Sequence, residues 1–314
     1  MNYEQLITEL ALADERYVIM TAENRALVRN IPNNPLLTNR FIDTGITEQT
    51  MIGMAAGLAL RGRVPIVHAL AAFLTMRAFE FIRTDVGIAN LPVKLTGFIP
   101  GFLSDGNGPT HQAIEDISIV RGIPGMHVFA PADEEDMLVM LPEIWHSKAP
   151  SYTRANLIKP LYPHDKNFTI GKSEVVAEGA TVTFLTYGML FNQVFEARQL
   201  LEHQGLSIGL VNMRCLKPVD EDVILKVARE SELIVIVEDH FKTGGLYSIV
   251  AEVLLNNQQT ANVQSLSLNE SWFKPGRLAD VLSNEGFSPE KIAVQTMNML
   301  ETRQHVNTLT TSTH

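Results

Sequence analysis

A single cysteine, Cys215, in 314 residues excludes an internal disulfide and a cysteine-ligated zinc site. Its isolation suits a reducing compartment. Long apolar runs are also missing. The longest, Met51 to Leu60, is too short to cross a bilayer and ends against Arg61-Gly-Arg63. The N-terminus carries two early acids and no basic segment leading into an apolar run, so no secretory signal is expected. Positive charge is scarce: Lys and Arg number 25 against 35 Asp and Glu, a net charge of −10, and no basic stripe gathers them. That argues against nucleic acid and anionic membrane as partners, and for a soluble, cytoplasmic protein. Several signatures are absent as well. The chain has no Gly-x-Gly-x-x-Gly after its first strand, no Gly-x-x-x-x-Gly-Lys-Ser/Thr and no Gly-x-Ser-x-Gly. None of its histidines, His164 included, stands in a His-Glu-x-x-His spacing.

What remains is globular. Apolar residues make up 46% and charged residues 19%, enough for a sizeable core and incompatible with disorder throughout. The length predicts two domains. Short β-rich runs alternate with helical patterns, which predicts an α/β protein with mainly parallel sheets flanked by helices. In the first half, strands are expected at Tyr17–Thr21, Phe41–Asp43, Val64–Ala69, Val93–Phe98 and His127–Ala130. Helices are expected at Glu48–Leu60, Phe73–Ile88, Ala113–Val120 and Glu134–His146. Residues 161–178, rich in proline, glycine and charge, read as a connector with one hairpin. Alternation then resumes with Thr181–Tyr187, a helix over Gln193–His203, Ser207–Asn212, a helix near Asp220–Glu230, and the β-branched run Leu233–Glu238. Gly244-Gly245 opens another helix. The expected organisation is a first domain over 1–160 and a second over 179–314, with a frayed polar end at 306–314.

Two clusters carry candidate chemistry. Asp43-Thr44-Gly45-Ile46-Thr47-Glu48 leads from a strand into an apolar helix. Gly45 permits the sharp entry, and Glu48 lands in the first turn, where a carboxylate also complements the helix dipole. Ser104-Asp105-Gly106-Asn107-Gly108-Pro109-Thr110-His111-Gln112 is an irregular loop ending at a helix start, with His111 at its mouth as either a capping or a functional residue. In open parallel sheets, ligands sit at loops of this kind. Phe73 and Arg77 lie one helical turn apart, Phe73 being either core or a stacking surface. Arg154 either binds an anion or pairs with a carboxylate.

Taken in order, Gly45-Ile46-Thr47-Glu48, Ala56-Gly57-Leu58-Ala59, Phe73 and Gly108-Pro109-Thr110-His111-Gln112 resemble the pyrimidine-binding domain of transketolases. Glu115-Asp116-Ile117, Arg121-Gly122-Ile123-Pro124, Met126 and Pro131-Ala132-Asp133 extend the match. Tyr187-Gly188, Leu216-Lys217-Pro218 and Glu238-Asp239-His240 followed by Gly244-Gly245 carry it into the C-terminal domain of that family. The family's diphosphate-binding domain, with its Gly-Asp-Gly…Asn motif, has no counterpart in these residues. The resemblance therefore implies one subunit of a split transketolase. A partner chain would supply that domain and ligate Mg²⁺, in a heterotetramer with two copies of each chain.

The resemblance further implies transfer of a two-carbon ketol unit from a ketose donor to an aldehyde acceptor, through a carbanion/enamine carried on thiamine diphosphate. Glu48 and His111 would be catalytic. Glu48, Phe73, Gly45 and Ile46 would hold the cofactor, with Glu48 on the aminopyrimidine nitrogen and Phe73 stacked on its ring. His111, Asn107, Asp105, Arg77 and Arg154 would contact substrate. Three departures stand out: Asn107 occupies the place of the family's aspartate with Asp105 two residues earlier, Phe98 or Ile99 replaces a phosphate-contacting histidine, and Gln49 follows Glu48 where a histidine is usual. They imply an acceptor other than an ordinary pentose or tetrose phosphate. The alternatives are a subunit of a 2-oxoacid-decarboxylating enzyme, either a dehydrogenase β-type subunit or 1-deoxyxylulose-5-phosphate synthase-like, and a non-catalytic orphan half.

Overall fold

The computed structural model describes residues 1–23 and 25–311, with side chains through Thr302. A helix outside the alternation read from sequence, α1 (Tyr3–Ala13), opens the chain. It is set by a capping box in which Asn2 accepts from the Gln5 amide and the Gln5 side chain accepts from the Asn2 amide. There follow β1 (Tyr17–Thr21), β2 (Phe41–Asp43), α2 (Glu48–Leu60), β3 (Val64–Leu70), a single turn α3 (Phe79–Phe81), β4 (Lys94–Phe98), α4 (Asp116–Arg121), β5 (His127–Phe129), α5 (Glu134–His146) and β6 (Ser151–Ala155). The second half contains β7 (Glu174–Ala177), β8 (Val182–Thr186), α6 (Phe191–Glu202), β9 (Ile208–Asn212), β10 (Cys215–Lys217), α7 (Glu221–Glu230), β11 (Leu233–Phe241), α8 (Leu246–Asn256), β12 (Val263–Leu268), α9 (Leu278–Asn284) and α10 (Pro289–Thr311). No described helix is long and apolar enough to cross a membrane. The expectation for 306–314 falls where side chains, and beyond 311 the backbone, lie outside the described residues.

Two mainly parallel sheets result. The first runs β10-β5-β6-β4-β3-β1-β2 and the second β12-β11-β8-β9-β7. Central strands β1, β6, β8 and β9 are buried along their whole length. Their sequences are accordingly dominated by continuous apolar or β-branched residues rather than by alternation. Register levels the carboxyl ends: Thr21 pairs with both Asp43 and His68, while Leu70 pairs with Phe98 and Phe98 with Ala155. The loops after β2, β3 and β4 therefore emerge along one crest.

Four details differ from the sequence reading. Val64 to Leu70 is followed not by one regular helix over Phe73–Ile88 but by π turns at Phe73–Arg77 and Ile82–Gly87 on either side of α3. The connector holds no hairpin. Its single strand β7 pairs antiparallel with β9, so the second sheet begins before Gly179. Strand β10, from the second half, crosses back to pair antiparallel with β5 in the first sheet. Ser151–Ala155 is itself a strand, with Arg154 inside it.

These exchanges fuse the halves. One cluster of buried apolar side chains runs from Met20, Met51 and Val67 to Leu185, Val211 and Ile236. The Glu238-Asp239-His240…Gly244-Gly245 run lies at this seam. Glu238 accepts from the Leu246 and Tyr247 amides at the start of α8 and from the Tyr187 hydroxyl. A Cβ at Gly245 would come within 2.2 Å of its carboxylate, so only glycine lets the carboxylate cap the helix. Burial pushes the Glu238 carboxyl up to about 7 despite those hydrogen bonds. His240 accepts from the Ser118 amide of α4, joining the two halves again.

Candidate active site

The crest is built on three loops. After β2, Gly45 adopts φ +69 and donates its amide to Asp43 Oδ1 at 3.0 Å, while Thr47 N–H returns to the Gly45 carbonyl at 2.7 Å. This tight turn delivers Glu48 as the first residue of α2, with only 3% of it exposed. A helix-start carboxylate serving only the dipole would stand in solvent. This one is held inside.

After β3, the π turn presents Phe73 and Arg77 on one face. The guanidinium carbon of Arg77 lies 3.9 Å from the centre of the Phe73 ring. Its Nη1 reaches both Glu48 oxygens at 3.2 Å. Turns of this type are frequent at functional sites. After β4, the loop through Gly101 (φ +55) and Gly108 (φ +86) returns His111, whose ring centre stands 4.8 Å from that of Phe73 at 59°. Thr110 Oγ1 lies 2.9 Å from His111 Nδ1. Glu48, Arg77, Phe73 and His111 thus form one chain of direct contacts, although 63 positions separate the first from the last in sequence. The result is a buried anion at the end of a slot with one aromatic wall, and a planar cation lying in that slot. Gly45 shapes the entry to this site, and Ile46 beside it is exposed.

Asp105 and Asn107 are placed differently. They lie on the outer limb of the loop, which rests on a segment of the second half: the Gly276 amide donates to the Asp105 carbonyl at 3.4 Å, and Gln112 Nε2 donates to the Phe273 carbonyl at 3.0 Å. Neither Asp105 nor Asn107 joins the contact chain around Glu48.

Arg154 takes the second of the two uses read from sequence, pairing with carboxylates. Expected to meet a substrate phosphate, it is 1% exposed. Its Nε donates to Asp116 Oδ2 at 3.0 Å and its Nη1 to Asp239 Oδ1 at 2.6 Å, while Nη2 donates to the Ala113 carbonyl. Burial would lower its pKa, but the two carboxylates hold it well above the ordinary value. The guanidinium ties the first half to β11 of the second.

A second buried network escaped the sequence reading. His164 of the connector contacts Glu174 Oε2 through Nδ1 at 2.7 Å and Asp133 Oδ2 through Nε2 at 2.8 Å. Arg214 pairs with Asp136 at 2.7 Å and Glu174 at 3.0 Å. Asp136, His164 and Glu174 are close enough together to suggest a metal site. Arg214, with the Asn212 amide on Asp136 and Glu174, already supplies the positive and donor groups that a cation would replace. In sequence this network shows only as Asp133 in the Pro131-Ala132-Asp133 run; the structure makes Asp133 the cap of α5, accepting from the Asp136 amide.

Two mainly parallel sheets, with a buried carboxylate and an aromatic ring facing each other over the carboxyl ends of the first, define the architecture of a two-domain α/β enzyme. Comparison with known proteins gives the family. Residues 2–158 match the transketolase pyrimidine binding domain, and residues 171–292 match the transketolase C-terminal domain. The chain is 35% identical to the 6-deoxy-6-sulfo-D-fructose transketolase subunit SqwH of Clostridium sp. (strain MSTE9), over 82% of this chain and 80% of that one. It is 31% identical to the putative transketolase C-terminal section of Methanocaldococcus jannaschii, over 96% and 95% of the two chains. A solved structure described as a split gene transketolase, inactive β4 tetramer, superposes with a TM-score of 0.85 at 29% identity, covering 95% of this chain and 97% of that one. The chain belongs to the transketolase family.

Proposed function

We propose that this chain is the pyrimidine-binding half of a two-chain transketolase, transferring a two-carbon ketol unit from a ketose to an aldehyde, with thiamine diphosphate as cofactor. The observation that carries the reading is the slot between Glu48 and Phe73. It already accommodates a planar, nitrogen-bearing cation that stacks on Phe73 and donates to Glu48. An aminopyrimidine ring asks for the same two partners, so the residues present fit the cofactor.

In this reading Glu48 holds a proton at the ring nitrogen from a buried position at the end of the slot, where a hydrogen bond is worth more than in solvent. Phe73 fixes the ring plane. His111, packed at an angle against Phe73, contacts the hydroxyls of the donor sugar and orients its carbonyl. Asp105 and Asn107 stand on the outer limb of the same loop, and in this reading they meet the sugar only at the rim of the site. When bound, the cofactor supplies the nucleophilic carbon and the electron sink. The partner chain supplies the Gly-Asp-Gly…Asn domain that holds Mg²⁺ and the diphosphate. The relative described as an inactive β4 tetramer supports the need for such a partner. With Arg154 locked at the domain seam, the acceptor is not read through that arginine. The sulfofructose named for one relative is consistent with substrates that are not pentose phosphates.

The test is reconstitution. Co-expression with a chain carrying Gly-Asp-Gly…Asn, with thiamine diphosphate and Mg²⁺, should yield ketol transfer without carbon dioxide release from pyruvate. Glu48→Gln in the same complex should lower kcat/KM at least a hundredfold, the loss of about 3 kcal/mol of transition-state stabilisation. A loss within about threefold would remove Glu48 from its proposed role on the ring nitrogen.

A further inference from the structure

The contacts of Arg77 describe more than a surface ion pair. A guanidinium is planar and delocalised, stacks on aromatic faces and forks onto carboxylates. Arg77 stacks and pairs at once, 3.9 Å above Phe73 and 3.2 Å from each Glu48 oxygen. These are the two surfaces that an aminopyrimidine ring would need. The Arg77 side chain and the ring therefore cannot both be seated. Arg77 is also free to leave. Its side chain is 41% exposed, whereas the carboxylate that it satisfies is 3% exposed, so its departure exposes little that was buried, whereas Glu48 always needs a partner.

Resting on the assignment of Glu48 and Phe73 to the aminopyrimidine, we propose that Arg77 is a positioning residue that stands in for that ring: it holds Glu48 and Phe73 in binding geometry until the ring arrives, and is exchanged for the ring when the ring binds. The exchange explains how a buried carboxylate stays inside without its ligand. It also frees a cation at the mouth of the cleft beside His111 once the ring is seated.

The test uses the full chain and the pyrimidine fragment of thiamine (4-amino-5-hydroxymethyl-2-methylpyrimidine) as probe. Fragment affinity is measured by ligand-observed NMR titration, and thermal unfolding is followed with and without saturating fragment, for wild type, Arg77→Met, Arg77→Lys and Glu48→Gln. Removing a competing ion pair and cation–π contact should make the fragment bind about fivefold more tightly to Arg77→Met. Arg77→Lys, which keeps the charge and loses the planar group stacked on Phe73, should fall between. The fragment-free midpoint of Arg77→Met should drop, and saturating fragment should restore it. If Arg77→Met loses stability and binds the fragment no better than wild type, while Glu48→Gln binds it more weakly, Arg77 is a support only and the exchange is wrong. If Glu48→Gln binds as wild type does, the assignment of Glu48 fails, whatever Arg77 shows. No binding to any of the four forms overturns both.

Discussion

Arg154 and Arg77 separate two uses of one residue type. Both are arginines near carboxylates at the carboxyl ends of parallel strands. One is sealed between Asp116 and Asp239, with Gly101 so close that a Cβ there would sit 1.8 Å from Asp239 Oδ2. The other lies in a cleft open to water. Removing a cation from a sealed pair strands two charges in low dielectric, and the cost is large. Arg154→Met should therefore lower the free energy of unfolding by about 3–5 kcal/mol, as read from urea denaturation. Should it instead leave stability within about 0.5 kcal/mol of wild type and raise KM for a phosphorylated sugar, the anion-binding role expected from sequence would return.

Among the elements, the connector is the most conditional. It is pinned to the start of helix α5 and to strand β7 through His164, which touches Asp133 and Glu174, with Asp136 and Arg214 in the same network. Burial alone would lower the pKa of His164, but its hydrogen bonds to Asp133 and Glu174 raise it to about 10. A histidine whose pKa is raised on folding contributes stability that is complete below its unfolded value of about 6.5 and is lost as pH rises through the folded value. Unfolding midpoints should thus fall between pH 6.5 and 10, the window set by the unfolded and folded values, and His164→Gln should flatten that slope by removing the titration. A mutant slope equal to that of wild type would show that some other group sets the alkaline limit.

For the whole molecule, the telling feature is apolar surface left in water. Helix α2 is apolar on nearly all sides, a pattern proper to a helix buried all round. Yet Met54 and Leu60 are exposed, as are Ile46 before it and Phe81 and Ile88 on the neighbouring segment. All five lie on or beside the elements that carry the Glu48 slot, which suits a site completed by another chain. Met54→Asp combined with Ile88→Asp should leave the far-ultraviolet circular dichroism of the isolated chain unchanged. It should abolish co-elution with the diphosphate-domain chain in size-exclusion chromatography. Retained co-elution would move the interface elsewhere.

Much of this molecule was legible in its residues alone. The bounds of β1, β2, α2 and α5 were legible to the residue; β1 and α2 stand out as continuous apolar runs, because burial on both sides leaves little latitude in composition. The ordered motifs pointed to the family, and Glu48, Phe73 and His111 could be picked out one by one. How they meet is a product of folding. The π turns after β3, a departure of one hydrogen bond in register that no residue pattern announces, set Arg77 over Phe73 and onto Glu48. Three-dimensional closure also made Arg154 face Asp239, 85 residues away in the chain, and placed Cys215–Lys217 in the first sheet rather than the second. Such choices depend on partners distant in sequence, since a buried charge takes the nearest opposite charge that folding brings to it, and local propensity carries no record of which one that will be.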